Sequence, residues 1–329
     1  MLYFEENLSR YKTIILLILL GILILINMFC FPTFINPFGE NTLSETILNS
    51  IRIPKTITAI CIGISLSACG FMLQQLFKNP LAGPYVLGVS SGASLAVAFL
   101  LIGVPSFAFT NLEVFKSLTI AIAGSVGAFS ILFIIMIVSL KYGYSYILLL
   151  LGVIIAQITG ALQSLLDYIA NPSDLKLFSL WGMGSFGKTT GYDLYLLIAI
   201  VCIGFIWTYK LMPPLSVMVL GNDAAKTLGV NTQSISIQIL LCTGLLTGIA
   251  TAFCGPIAFI GMAVPNVAKI VFKTANYQKL LLGTCILGGI MALLCDTISH
   301  LPIFSVYLPI NVTSSLISGP IIIYILLKK

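Results

Sequence analysis

Apolar residues run through this chain in blocks of about 18 to 25, separated by short polar breaks. Each block is long enough to cross roughly 30 Å of hydrocarbon as a helix, and too long and uniform for a barrel strand. The pattern predicts an all-α, polytopic membrane protein with a single domain over 1–329. About ten spans are expected, near 13–31, 55–77, 85–103, 116–140, 146–166, 192–212, 235–253, 257–272, 280–299 and 308–327.

Four breaks are more than plain turns. Pro213 to Ser234 (PPLSVMVLGNDAAKTLGVNTQS) reads as water-facing, with a short surface helix inside it. Gly221, Asn222 and Asp223 offer a turn and two capping side chains, Ala224 to Leu228 suit a helix, and Gly229 is a left-handed stop. Lys78 to Ser91 (KNPLAGPYVLGVSS) carries two prolines and two glycines, irregular backbone that needs protein or a water-filled path around it. Asp167 to Gly191 has an apolar middle at Phe178 to Trp181, which fits either a short helix lying over an opening or an aromatic anchor at the interface. Cys254 to Asn266 (CGPIAFIGMAVPN) interrupts two spans with Gly255, Pro256, Gly261 and Pro265. Small residues on the spans, such as Gly63 with Ser67 and Gly70, Gly124 with Gly127, and Gly244 with Gly248, permit close helix packing.

Composition agrees with a membrane solvent, since 59% of residues are hydrophobic and 8% charged. With the N-terminus in the cytoplasm, eleven of the 16 Lys and Arg residues fall inside. Arg52, Lys55, Lys116, Lys176 and Lys188 fall outside, so the positive-inside rule predicts cytoplasmic termini. The net charge of +6 therefore reflects topology, and no basic cluster points to nucleic acid. The eight cysteines lie mostly within spans, without CxxC or Cys/His clustering, and read as packing residues.

Catalytic and energy-coupling motifs are missing. His300 is the one histidine and has neither metal-spaced partners nor a nucleophile motif around it. There is no GxxxxGK[ST] phosphate loop, so neither ATP nor another cofactor is expected on this chain, and energy must come from a partner. Asp167, Asp193 and Asp296 are expected near outer span ends and Asp223 in an inner loop, which disfavours the alternative of an ion-coupled secondary transporter or channel.

Four stretches together, Arg52 to Ala96, Leu220 to Asn231 (LGNDAAKTLGVN), Cys254 to Asn266 and Leu308 to Pro320 (LPINVTSSLISGP), resemble the FecCD-type permeases. These are membrane subunits of ABC importers for iron-siderophores, haem and vitamin B12. The resemblance implies a type II importer architecture of ten spans in the bacterial cytoplasmic membrane, paired with a second permease subunit as a homodimer or heterodimer. It further implies two cytoplasmic ATPase subunits that use ATP and Mg, an external solute-binding protein, and a metal-chelate substrate. Carried over residue by residue, it makes Gly221, Asn222, Asp223, Ala224, Ala225, Leu228 and Gly229 the coupling segment. Arg52, Lys55 and His300 would dock the binding protein, and Asn79 and Leu81 would narrow the path at its cytoplasmic side. Arg52 and Lys55 are spaced to share one helix face, where they could equally snorkel at the interface. Asn222 stands where the family often has an acid, and Asn266 where it commonly has histidine.

Overall fold

A computed structural model describes residues 2–29, 42–103, 113–142, 146–189, 191–301 and 307–327. Among them the chain forms α1 (Leu2–Phe29), α2 (Thr42–Ile47), α3 (Ile53–Leu76), α4 (Val89–Gly103), α5 (Glu113–Tyr142), α6 (Tyr146–Ile169) and α7 (Pro172–Gly182). It continues with α8 (Tyr192–Met218), α9 (Asn222–Thr227), α10 (Thr232–Cys254), α11 (Ile260–Phe272), α12 (Tyr277–Ser299) and α13 (Ile310–Leu327). Seven of these are long and apolar enough to cross a membrane, and α4, α11 and α13 are shorter apolar helices. Those ten match the ten expected spans, while α2, α7 and α9 are short additions.

Helix α3 is the centre of the bundle, flanked by α12, α11, α10 and α8. In hydrocarbon, helices gain little from hiding apolar surface from one another, so close backbone approach and van der Waals contact hold them together. Glycine makes that approach possible: a Cβ at Gly63 would overlap the Gly288 carbonyl, and one at Gly70 would overlap the Gly261 carbonyl. Helices α1 and α6 lie outside, presenting Ile14, Ile18 and Leu25, and Val153, Leu162 and Leu165, away from the core.

Two boundaries depart from the sequence reading. The third span begins at Val89 and not near 85, because residues 79–88 run through turns that bury Ala82, Gly83 and Pro84. The expected water-facing segment does not start at Pro213. Helix α8 passes through Pro213 and Pro214 to Met218, with Met212, Leu215 and Met218 buried in the core. Two missing N–H donors would ordinarily end a helix, but packing of this apolar face carries it a further turn.

Candidate functional site

Polar side chains gather at the two ends of the bundle. At the end carrying α7, a π-helical turn, Leu48–Arg52, leads into α3, whose first turn contains Pro54. The helix is continuous through this junction, and the wider π turn just before Pro54 marks where the proline interrupts regular α-helical bonding. Arg52 is 5% exposed and donates from Nη1 to the Met28 carbonyl at 2.9 Å, tying α3 to the end of α1. One turn on, Lys55 Nζ lies 2.9 Å from Asp296 Oδ2 on α12, with the lysine 17% and the aspartate 1% exposed.

His300 completes this group. Its Nδ1 is 2.8 Å from the Asp296 backbone carbonyl, and its Nε2 is 3.1 Å from Lys55 Nζ. Lys55 Nζ also lies 3.3 Å from Nδ1, so the ammonium faces both ring nitrogens. Asn27 on α1 donates to Thr297 Oγ1 at 2.9 Å, closing the group from the other side. These residues, with Gly184, Ser185 and Phe186, line a cavity of about 570 Å³.

Arg52, Lys55 and His300, singled out from sequence, are thus brought together. They form the wall of a cavity and not an exposed rim, and neither base snorkels away from the protein. The sequence reading missed Asp296, which sits in the last turn of its span as expected but is buried there. Its i,i+4 spacing to His300 was the available signal.

The segment after α7 covers this cavity. Trp181 is buried and donates Nε1–H to the Ala252 carbonyl at 3.2 Å, while its ring stacks on Phe178 at 5.9 Å between centroids. It is therefore a tie to α10 and not an interfacial anchor. Ser185 N–H bonds the Cys254 carbonyl at 2.9 Å, and a Cβ on Gly255 would overlap the Trp181 carbonyl. The irregular backbone between α10 and α11 is buried, as its unpaired peptide groups require, and Asn311 of α13 accepts from Ala258 N–H at 3.2 Å.

The opposite end carries α9. Gly221 is its N-cap, with φ 121°, so neither Asn222 nor Asp223 occupies the capping position expected from sequence. Asp223 instead lies in the first turn, where its charge favours the positive end of the helix. The stop is the one expected: Gly229 has φ 80°, its N–H bonds Lys226 O at 2.9 Å, and Val230 N–H bonds Ala225 O at 2.9 Å. That reciprocal pair is a Schellman ending. Ala225 is fully buried against the core, while Asp223, Ala224 and Lys226 are exposed and Leu228 is 65% exposed. Asn231 then caps α10, accepting from Ser234 N–H at 3.0 Å. The element is short, anchored on one face and bare on the other.

Beside it lies a second cavity of about 600 Å³, lined by Gln74, Gln75, Lys78, Asn79, Asn266 and Lys269 among others. The Asn79–Leu81 turn is shaped locally: Asn79 Oδ1 accepts from Leu81 N–H at 2.8 Å, and Asn79 N–H bonds Gln74 O at 3.1 Å. Leu81 packs against Met262, Ala263 and Ile322. Asn266 Nδ2 donates to Pro80 O at 2.8 Å and to Met262 O at 2.9 Å. Gln74 Nε2 reaches the same Met262 carbonyl at 2.9 Å, and Lys269 Nζ donates to Gln74 Oε1 at 3.0 Å. No cluster of three or more His, Cys, Asp or Glu capable of holding a metal occurs among the described residues.

Comparison with known proteins accords with this architecture. The hemin transport system permease protein HmuU of Yersinia pestis is 32% identical over 301 residues, covering 91% of this chain and 88% of that protein. The vitamin B12 import system permease protein BtuC of Salmonella paratyphi A is 32% identical over 290 residues, covering 87% and 85%. A solved metal-chelate type ABC transporter in an inward-facing conformation superposes with a TM-score of 0.84 at 25% identity, over 95% of this chain and 98% of that one. The FecCD transport family matches residues 13–328, and the chain belongs to that family.

Proposed function

We propose that this chain is the membrane-spanning permease subunit of an ATP-driven importer for a bulky metal chelate of the iron-siderophore, haem or cobalamin kind. It works beside a second permease subunit, with two ATPase subunits below and a solute-binding protein above. ATP and Mg are used by the ATPase; this chain holds no cofactor. The α9 end then faces the cytoplasm, both termini with it, and the α7 end faces outward in the bacterial inner membrane.

The observation that carries this proposal is α9. A six-residue helix closed by a Schellman turn, with Ala225 sunk into the core and Ala224 bare, is rigid enough to pass a push from a docked ATPase into α8 and α10. In this scheme Asn79 and Leu81 form the cytoplasmic gate. Arg52, Lys55 and His300 take part in seating the binding protein, through a cavity that an acidic side chain can enter.

The test is uptake by the complete transporter in proteoliposomes, with its co-purified ATPase and binding protein. Ala224→Arg places a long charged side chain on the bare face of α9. Uptake is expected to fall at least about tenfold while the permease still inserts and ATP hydrolysis loses its response to the binding protein. The buried Asp296 is a feature that would suit ion coupling. Uptake that follows an ion gradient and ignores ATP would establish that alternative.

A further inference from the structure

Asn79, Pro80 and Leu81 must move if they gate a path, so what holds them still matters. Of the bonds described above, Leu81 N–H to Asn79 Oδ1 lies within the turn and would travel with it, while Asn79 N–H to Gln74 O ties only the start of the turn to the adjoining end of α3. Asn266 Nδ2 to Pro80 O is different: it joins the turn to α11 across 186 positions of sequence, at 2.8 Å, from a side chain only 7% exposed. Both amide protons of Asn266 are spent on carbonyls, Pro80 O and Met262 O. The Met262 carbonyl is in turn fixed by Gln74 from α3, and Gln74 by Lys269 from the next turn of α11. Lys78, at the start of the turn, holds φ 48°, a left-handed conformation that L residues leave readily when contacts no longer impose it.

We infer that Asn266 is the latch of the gate: its amide clamps the Pro80 carbonyl to α11 and holds the Asn79–Leu81 turn in place, with Gln74 and Lys269 setting the position of the clamp. Asn266 is a positioning residue. The inference rests on the assignment of Asn79 and Leu81 as the gate made above. Its chemistry makes a sharp demand, because Asn266→Asp keeps the shape of the side chain but turns the donating atom into an acceptor. Two carbonyl oxygens then face an oxygen, and attraction becomes repulsion.

Hydrogen–deuterium exchange of the complete transporter in nanodiscs reads this directly. Peptides covering 77–88 should exchange about tenfold faster in Asn266→Asp, less so in Asn266→Ala, and near the parent rate in Asn266→Gln, which restores an amide donor. Peptides from α5 and α10 should not change, whereas general destabilisation would raise exchange throughout. Should Asn266→Asp fail to fold, Asn266→Ala against Asn266→Gln carries the same contrast. Parent-like exchange at 77–88 in the variants lacking the amide, or a rise spread evenly over the chain, overturns the latch. A second measurement separates latch from gate: release of trapped carboxyfluorescein from proteoliposomes without ATP. Faster exchange with faster release supports both. Faster exchange with unchanged release keeps the latch and rejects this turn as the seal.

Discussion

The two ends of the bundle organise polar side chains by different physics. At the α7 end the centre is a charge, Asp296, buried at 1% exposure and matched by Lys55 at 2.9 Å with His300 alongside. At the α9 end, amides and a lysine bond carbonyls and one another around the Met262 oxygen, with no carboxylate lining the cavity. A buried ion pair is strong only while both partners are present, and removing one leaves a charge that the interior cannot solvate. An amide network fails more gently, since each lost bond costs about 1–3 kcal/mol when a partner is left unpaired. The first arrangement suits a fixed frame, and the second suits the gate proposed above, a part that would open and close.

The largest effect should therefore come from Lys55→Met, which strands Asp296. A loss of about 3–5 kcal/mol is expected, measured by denaturant unfolding in detergent micelles. Asp296→Asn should cost less, roughly 1–3 kcal/mol, because Lys55 is 17% exposed and its stem can carry the ammonium to water. The double variant Lys55→Met with Asp296→Leu should recover most of the Lys55→Met loss. If that single change costs no more than changes at the other end, the contrast between the ends is wrong.

Gln74→Leu tests the opposite end, removing the donor to Met262 O and the acceptor for Lys269. A loss of about 1–2 kcal/mol is expected, visible as a small shift in the unfolding midpoint. Gly229→Ala should be smallest of all, about 1 kcal/mol. Nothing lies within 4 Å of the added Cβ, so the cost is only that of holding alanine at φ 80°. Its sharper readout is functional, in weakened response of ATP hydrolysis to the binding protein if the stop of α9 loosens.

Much of this was legible in the sequence, and the limits of legibility are physical. The Gly229 stop was readable because a left-handed helix ending depends on one residue and its neighbours. The start of the same helix was misread, since Asn222 and Asp223 both offer capping side chains, whereas the N-cap holds φ 121°, which glycine at 221 supplies. Pro213 and Pro214 misled in the same way, as local propensity argued for a break and burial of Leu215 and Met218 outweighed it. For Trp181 the sequence left both a helix over an opening and an interfacial anchor open, and the hydrogen bond to Ala252 that decides between them depends on where α10 ends.

The sequence by itself determined the number of spans, the absence of a phosphate loop and the presence of the irregular breaks between them. Hydrocarbon imposes those locally, by excluding charge and requiring every backbone group to be paired within its own helix. Only the tertiary structure decided that Asp296 meets Lys55, that Arg52 is buried beneath Met28, and that Asn266 holds Pro80. Each of these joins residues on different helices; the spacing of glycines marks which faces can pack closely, but only the assembled bundle sets which helix meets each face and so which side chains come within bonding distance.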